Sequence, residues 1–335
     1  MPWQERLYAI QWMDVKDIKK GKAHPRTWFA VPTEEDLARE DQVKRIVAQN
    51  LSKWQDDGLV PDMPIEPGAK TTEPIRTRGW THWHHLFNHR HLLVNATVSK
   101  HLDARPEGAL IALNFHNQNA SLCRWATGAT REALANVFSN QALNTLLNYG
   151  ARGADGVRAF LDVPDNSPVF EPGAVLNTSA KEFEEDVDVF LTDPPYADAV
   201  QYDEITEFFI AWLRKNPPAP FDEWIWDSRR NLAIKGDGQS FKTSMVEAYR
   251  AMADHMSDNG LQIVQFTHQD AKTWSDMAQI FWGAGLQVVQ DWYVSTETMT
   301  ELKKGGYVQG THMIVLRKRQ GERSGYSDEL VHDIR

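Results

Sequence analysis

One cysteine in 335 residues, Cys123, sets the first limits. No intramolecular disulfide can form, a cysteine zinc ribbon is excluded, and a reducing cytoplasm is the compartment to expect. No apolar run reaches the roughly 18 residues a membrane-spanning helix needs. The N-terminus, MPWQERLYAIQWMDVKD, carries acids and has no apolar stretch of the secretory kind. Excess positive charge is missing too, since 36 Lys and Arg face 46 Asp and Glu, for a net charge of −10. That argues against a general nucleic-acid coat, whose affinity comes from neutralising phosphates, but leaves room for one local basic groove. Repeats and low-complexity segments are absent as well.

What remains is a globular composition, 41% hydrophobic and 24% charged, in a chain long enough for a sizeable core. Two short strand-like runs, LYAIQWM and TWFAV, open the chain. PTEEDLAREDQVKRIVAQNLSKWQDDG then predicts one long helix, with Thr33 as cap and Leu37, Val43, Ile46, Val47 and Leu51 at helical spacing. A Pro-rich linker runs to about Pro74, and further helices are expected near 85–103 and 129–147. GALIALNF, 108–115, fits strand or helix equally, and loops are expected over 148–172.

The second half alternates. VDVFLTD, LQIVQFTH, LQVVQDWYV and THMIVLRKR read as strands. Helices are expected at 198–215, at 240–256 with Asn259-Gly260 as its stop, and over KTWSDMAQIFWGAG. This order predicts a parallel α/β sheet with helices on both faces, the last two strands forming an antiparallel hairpin at its edge. The expected divisions are an N-terminal strand, helix and linker region (1–75), a helical region (76–170), the α/β part (171–320) and a tail (321–335).

Chemistry concentrates in Asp193-Pro194-Pro195-Tyr196, immediately after VDVFLT. In an open α/β sheet, ligands sit beyond the carboxyl ends of the strands. The exocyclic amine of adenine or cytosine is a poor nucleophile because its lone pair is delocalised into the ring. An ionised Asp193 and a backbone carbonyl of the proline pair can each accept one amine hydrogen, freeing that lone pair. Prolines fix the backbone and donate no competing N–H. Tyr196 offers a face on which an extruded base can stack. The bland alternative is a rigid strand-to-helix turn with an aromatic packed beneath it.

The motif resembles that of the amino-methyltransferases that use S-adenosylmethionine, and Asp at its first position resembles the adenine-N6 members. TDPPYADAVQYDEITEFFIAWLRK is similar to the matching stretch of the large prokaryotic adenine-specific DNA methylases that carry a zinc ribbon. ASLCRW, 135–143, PTEEDL and FTHQDAKTWSDMAQIFWGAGLQVVQDWYV are similar to their counterparts there, so the resemblance spans most of 7–317. It implies a Rossmann-like methyltransferase sheet behind a mostly helical N-terminal region. It also implies S-adenosyl-L-methionine as cofactor, DNA as partner and catalytic roles for Asp193, Pro194, Pro195 and Tyr196.

Departures from that family are equally informative. Its glycine-rich donor loop and cysteine ribbon are missing, and neither NYGARGADG nor FEPGAV follows a strand and opens a helix. Asn177-Thr178-Ser179-Ala180 lacks the acid that the family often has there. The sheet is therefore expected to be incomplete, without its first strand, and the chain reads as a split-gene subunit whose partner carries the donor loop, or as a fragment of such an enzyme. Cofactor-binding residues cannot be named from these residues. A noncatalytic DNA- or partner-binding subunit is the alternative, and methylation of RNA or of a protein amide is a third reading.

Other clusters are weighed on the same terms. Acids crowd 182–207, while Arg229, Arg230, Lys235 and Lys242 follow and read either as phosphate contacts or as a solvated loop. His268 ends a strand on the expected catalytic edge and reads as a substrate contact or a structural histidine. THWHHLFNHRH holds five histidines, of which His85 and His89 have ligand spacing on a helix. No carboxylate or cysteine completes a set, so a helix start is expected and no metal. The stripe Ile205, Phe208, Phe209, Trp212 and Leu213 predicts core packing. Trp224 and Trp226 beside the arginines read as surface packing before base stacking.

Overall fold

The computed structural model describes residues 6–20, 26–102, 107–123, 125–126, 133–139, 173–195, 201–228, 230–234, 238–295 and 310–321. It divides into two compact units, Met1–Gly173 with Gln201–Arg230, and Ala174–Val200 with Asn231–Arg335.

The first unit opens on a ribbon in which β1 (Ile10–Met13) pairs antiparallel with β2 (Thr27–Ala30). The connection contains α1 (Val15–Lys19), capped by the Asp14 carboxylate, which accepts from the Lys16 N–H at 2.8 Å. The long helix expected next is α2 (Glu34–Asp56). Its start is a reciprocal capping box. The Asp36 N–H donates to Thr33 Oγ1 at 3.2 Å, and the Thr33 N–H donates to the Asp36 carboxylate at 2.9 Å. A cap of this kind contributes about 1 kcal/mol.

The Pro-rich stretch is no spacer between domains. Val60, Met63 and Ile65 are buried in one core with Val43 and Val47 of α2 and with Leu92 and Ala96 of α4 (His89–Leu102). That shared core joins what the sequence divides at residue 75. Between them, α3 (Thr72–Arg78) carries Pro74 in its first turn, where a missing N–H costs nothing. The ambiguous segment is helical, α5 (Gly108–His116), packed against α4. Within the expected helix at 129–147, the described residues 133–139 are strand and turn instead. β4 (Ala133–Leu134) pairs with β3 (Trp125–Ala126), and the Val137 N–H donates to the Asn117 carbonyl at 2.8 Å. This tertiary pairing overrides the helical spacing.

The helix expected after the motif is two helices, α6 (Tyr202–Ile205) and α7 (Glu207–Leu213). At the break, Thr206 Oγ1 donates back to the Tyr202 carbonyl at 2.6 Å, a bond that competes with the helical ladder. Phe208 and Trp212 enter the core as the stripe predicts, beside Trp83 and Phe87.

His116 is wholly buried against Trp212, with ring centroids 3.9 Å apart and Nε2 3.2 Å from Ser99 Oγ. Burial pushes its pKa down to about 3, against a small opposing contribution from the Asn95 backbone. An unfolded histidine titrates near 6.5, so between these values the unfolded chain binds the extra proton. Stability is then full above about pH 6.5 and falls as pH drops below it. His84, pushed down to about 4 by burial and by His85 and His82, acts in the same direction. At pH 4.5 the His116 contribution is expected to cost about 2–3 kcal/mol. Urea midpoints at pH 7.0 and 4.5 read it directly. His116→Phe should flatten that pH dependence, and an unchanged slope would place the titration elsewhere.

The second unit is a four-stranded sheet in the order β5 (Val187–Thr192), β6 (Met256–Phe266), β8 (Thr311–Lys318), β7 (Leu286–Val294). β5 and β6 are parallel, and β8 runs antiparallel to both β6 and β7. The sheet is therefore mixed where a parallel one was expected, and the antiparallel final pair is present. Helices α8 (Gln239–Asp254) and α9 (Ala271–Gly283) pack on each other. Phe241, Met245 and Tyr249 of α8 and Ile280 and Phe281 of α9 cover the face carrying Phe190, Val264, Phe266 and Leu316. On the opposite face Val189, Leu191, Trp292 and Val294 are exposed, and among the described residues of this unit no second helical layer covers them.

Candidate active site at the sheet edge

β5, β6 and β7 run the same way, so their carboxyl ends share one edge of the sheet. Asp193 is the first residue past β5, and His268 the second past the neighbouring β6. Asp193 and Pro195 are exposed and Pro194 is buried, so the proline pair is anchored on one side. Tyr196 lies outside the described residues.

The motif is supported from below. Thr192 Oγ1 and Tyr249 Oη stand 3.3 Å apart, joining the end of β5 to α8. Burial raises the Tyr249 pKa, the Thr192 bond opposes this, and the Asp193 charge adds to it. The phenol therefore stays neutral beside the carboxylate. Sequence reading passes over Tyr249, although it continues the helical stripe of Phe241, Met245 and Met252.

His268 is held in place rather than loosely displayed. Its Nδ1 accepts from the Asp270 N–H at 3.0 Å, and its carbonyl accepts from Trp274 Nε1 at 2.9 Å. Asp270 in turn caps α9 through the Lys272 N–H. His312 is also at this edge, opposite Phe266 on β6, with Nδ1 2.9 Å from Asp291 Oδ2 and its ring edge-on to Trp274. The signal that could have found it was the register of the final hairpin.

Of the expected basic cluster, Arg230 and Lys242 are among the described residues. Arg229 and Lys235 lie outside the described residues. Lys242 is paired with Asp276 at 2.6 Å. Arg230 belongs to the first unit and is buried, its Nε and Nη2 donating to the two Glu207 oxygens at 2.7 and 2.6 Å. Burial works against its charge, but the Glu207 hydrogen bonds and charge outweigh it and raise its pKa. A guanidinium spent in this way braces the fold and offers little to a phosphate. The sequence alone reads this arginine either as a phosphate contact or as part of a solvated loop, and the ion pair is a third role that it does not show.

The histidine cluster resolves into local structure. His85 lies in a single 3₁₀ turn, Trp83–Leu86, while His89 begins α4, so the two share no helix. His91 Nδ1 accepts from the Asn88 N–H, and the His91 N–H donates to Asn88 Oδ1, which caps that helix. Among the described residues no group of three or more His, Cys, Asp or Glu is arranged to hold a metal ion. Trp224 and Trp226 stack on each other, and Trp226 Nε1 donates to the Phe221 carbonyl at 2.8 Å, as packing predicts.

A nucleoside-type methyl donor needs a glycine turn that leaves a strand and opens a helix. Among the described residues the turn after β5 is Asp-Pro-Pro and the turn after β6 ends on the Asp270 cap. NYGARGADG lies outside the described residues, and of FEPGAV only Gly173 to Val175 are described, all exposed and outside any strand or helix. The described residues therefore do not fit such a donor. Among the described residues no helix is long and apolar enough to cross a membrane. No family model, curated protein or solved structure matches the chain.

Proposed function

We propose that this chain supplies the amine-activating site of an adenine-N6 DNA methyltransferase that uses S-adenosylmethionine. The observation that carries the reading is Asp193-Pro194-Pro195 directly past β5, at the edge where the parallel strands end. At that place the Asp193 carboxylate accepts one hydrogen of the target amine and a proline carbonyl accepts the other. The nitrogen then becomes pyramidal and its lone pair is released to attack. Tyr196 is assigned the stacking contact with the extruded base.

The donor pocket is assigned to a partner or to an N-terminal part outside these residues, because the described residues do not fit the donor. The exposed apolar residues Val189, Leu191, Trp292 and Val294 on one face of the sheet are assigned to contact with that missing part, since contiguous exposed apolar surface marks contact sites. One observation favours a second reading, a noncatalytic DNA- or partner-binding subunit: no glycine turn joins a strand to a helix among the described residues. Methyl transfer from labelled donor to adenine-containing DNA separates the two, measured for the chain alone and with the neighbouring gene product. Transfer that needs Asp193 supports the first reading. DNA binding without transfer in either setting establishes the second.

A further inference from the structure

The N-terminal ribbon buries little. Trp12 and Trp28 lie directly opposite each other across β1 and β2, yet are 42% and 45% exposed, and Phe29 on the other face is 62% exposed. An isolated two-stranded ribbon is marginal in water, and a tryptophan pair this exposed on one offers its faces to a ligand. Their surroundings indicate what they meet. Residues 6–30 hold six Lys and Arg against two Asp, in a chain whose net charge is −10. Lys19 and Lys20 are exposed where α1 ends, and the Arg26 guanidinium stands 5.8 Å over the Trp28 ring while bonding Asp14 at 3.2 Å.

Aromatic faces set among cations form the surface that single-stranded nucleic acid recognises: bases stack on the rings and phosphates meet the cations. A duplex hides its base faces and has no use for the tryptophans. An apolar protein partner has no use for the lysines. We propose that this ribbon binds single-stranded DNA, through residues other than those of the Asp193 site. The choice of DNA over RNA rests on the methyltransferase reading.

The test is fluorescence anisotropy of the full chain with a labelled oligothymidine, the same sequence in RNA, and a labelled duplex. The wild type is expected to prefer the single-stranded DNA. Replacing both Trp12 and Trp28 by Ala should weaken binding about tenfold or more. The charge reversal Lys19→Glu with Lys20→Glu should weaken it too, and should lower the slope of log K against log salt by about two. Every substituted side chain is exposed, so urea midpoints should match the wild type. Equal affinity across these variants, or a duplex bound as tightly as the single strand, overturns the proposal. Preferred RNA overturns the choice of DNA, and loss of a co-purifying protein with unchanged DNA affinity overturns it in favour of a protein partner. Oligothymidine carries no adenine amine for the Asp193 site, so a failed methyl-transfer assay and a failed ribbon are told apart.

Discussion

Asp193→Ala is expected to lower methyl transfer to adenine-containing DNA by about 10²–10³-fold while leaving the fold intact. The size follows from what the carboxylate does. It is a preorganised acceptor for one hydrogen of an amine that otherwise keeps its lone pair in the ring, and removing one such electrostatic contact typically costs that factor. The fold should hold because Asp193 is exposed, and exposed substitutions usually change stability by no more than about 0.5 kcal/mol. Asp193→Asn is the sharper variant. It keeps the shape and one acceptor oxygen but loses the charge, so its activity should fall between wild type and Ala. Equal losses for Asn and Ala would make charge the whole effect. Transfer unaffected by either would remove Asp193 from the chemistry altogether. Tyr249→Phe probes the support beneath it. Losing the bond to Thr192 should cost about 1 kcal/mol and move activity far less than Asp193→Ala.

What could be read from the chain followed from how local each signal was. The Thr33 cap and the stripe from Ile205 to Leu213 are written within a few residues, and both form as expected. Asn259-Gly260 is just as local and misled. It reads as a helix stop, yet the helix ends at Asp254 and the pair lies inside β6. The glycine answers a different need. A Cβ there would stand 2.9 Å from the carbonyl oxygens of Asp188 and Ser257, so the close approach of β5 requires it. Strand direction was equally hidden, because nothing in THMIVLRK says whether it joins parallel or antiparallel. The position of Asp193 past a strand end was readable from its neighbours. The burial of Arg230 was not, because its partner is 23 residues away, and the segment packed around it lies far earlier in the chain.

That buried network yields the largest expected effect on stability. Glu207, Arg230 and Glu204 are 1%, 7% and 4% exposed. Glu207 takes Arg230 in a two-pronged bond and also accepts from Ser228 Oγ. Glu204 accepts the N–H groups of Ala69, Lys70 and Thr71 at 2.7, 2.8 and 3.1 Å, at the start of α3. Glu207→Ala would strand the guanidinium without its counterion, and breaking a buried pair from one side costs about 3–5 kcal/mol. Set against a typical total of about 5–15 kcal/mol, that is a large fall in the urea midpoint. The double change Glu207→Leu with Arg230→Met is expected to recover most of the loss, because two apolar side chains of similar volume leave no charge behind. Failure of the double variant to recover would mean that Arg230 is needed for its contacts to Pro67 and Thr71 rather than for its charge. Gly68→Ala tests the other carboxylate. A Cβ there would come within 2.4–2.6 Å of the Glu204 carboxyl group, so even one methyl group should displace Glu204 from the three N–H donors. The network thus ties α6 and α7 to the start of α3 and to Arg230, through partners too distant in sequence for local patterns to reveal.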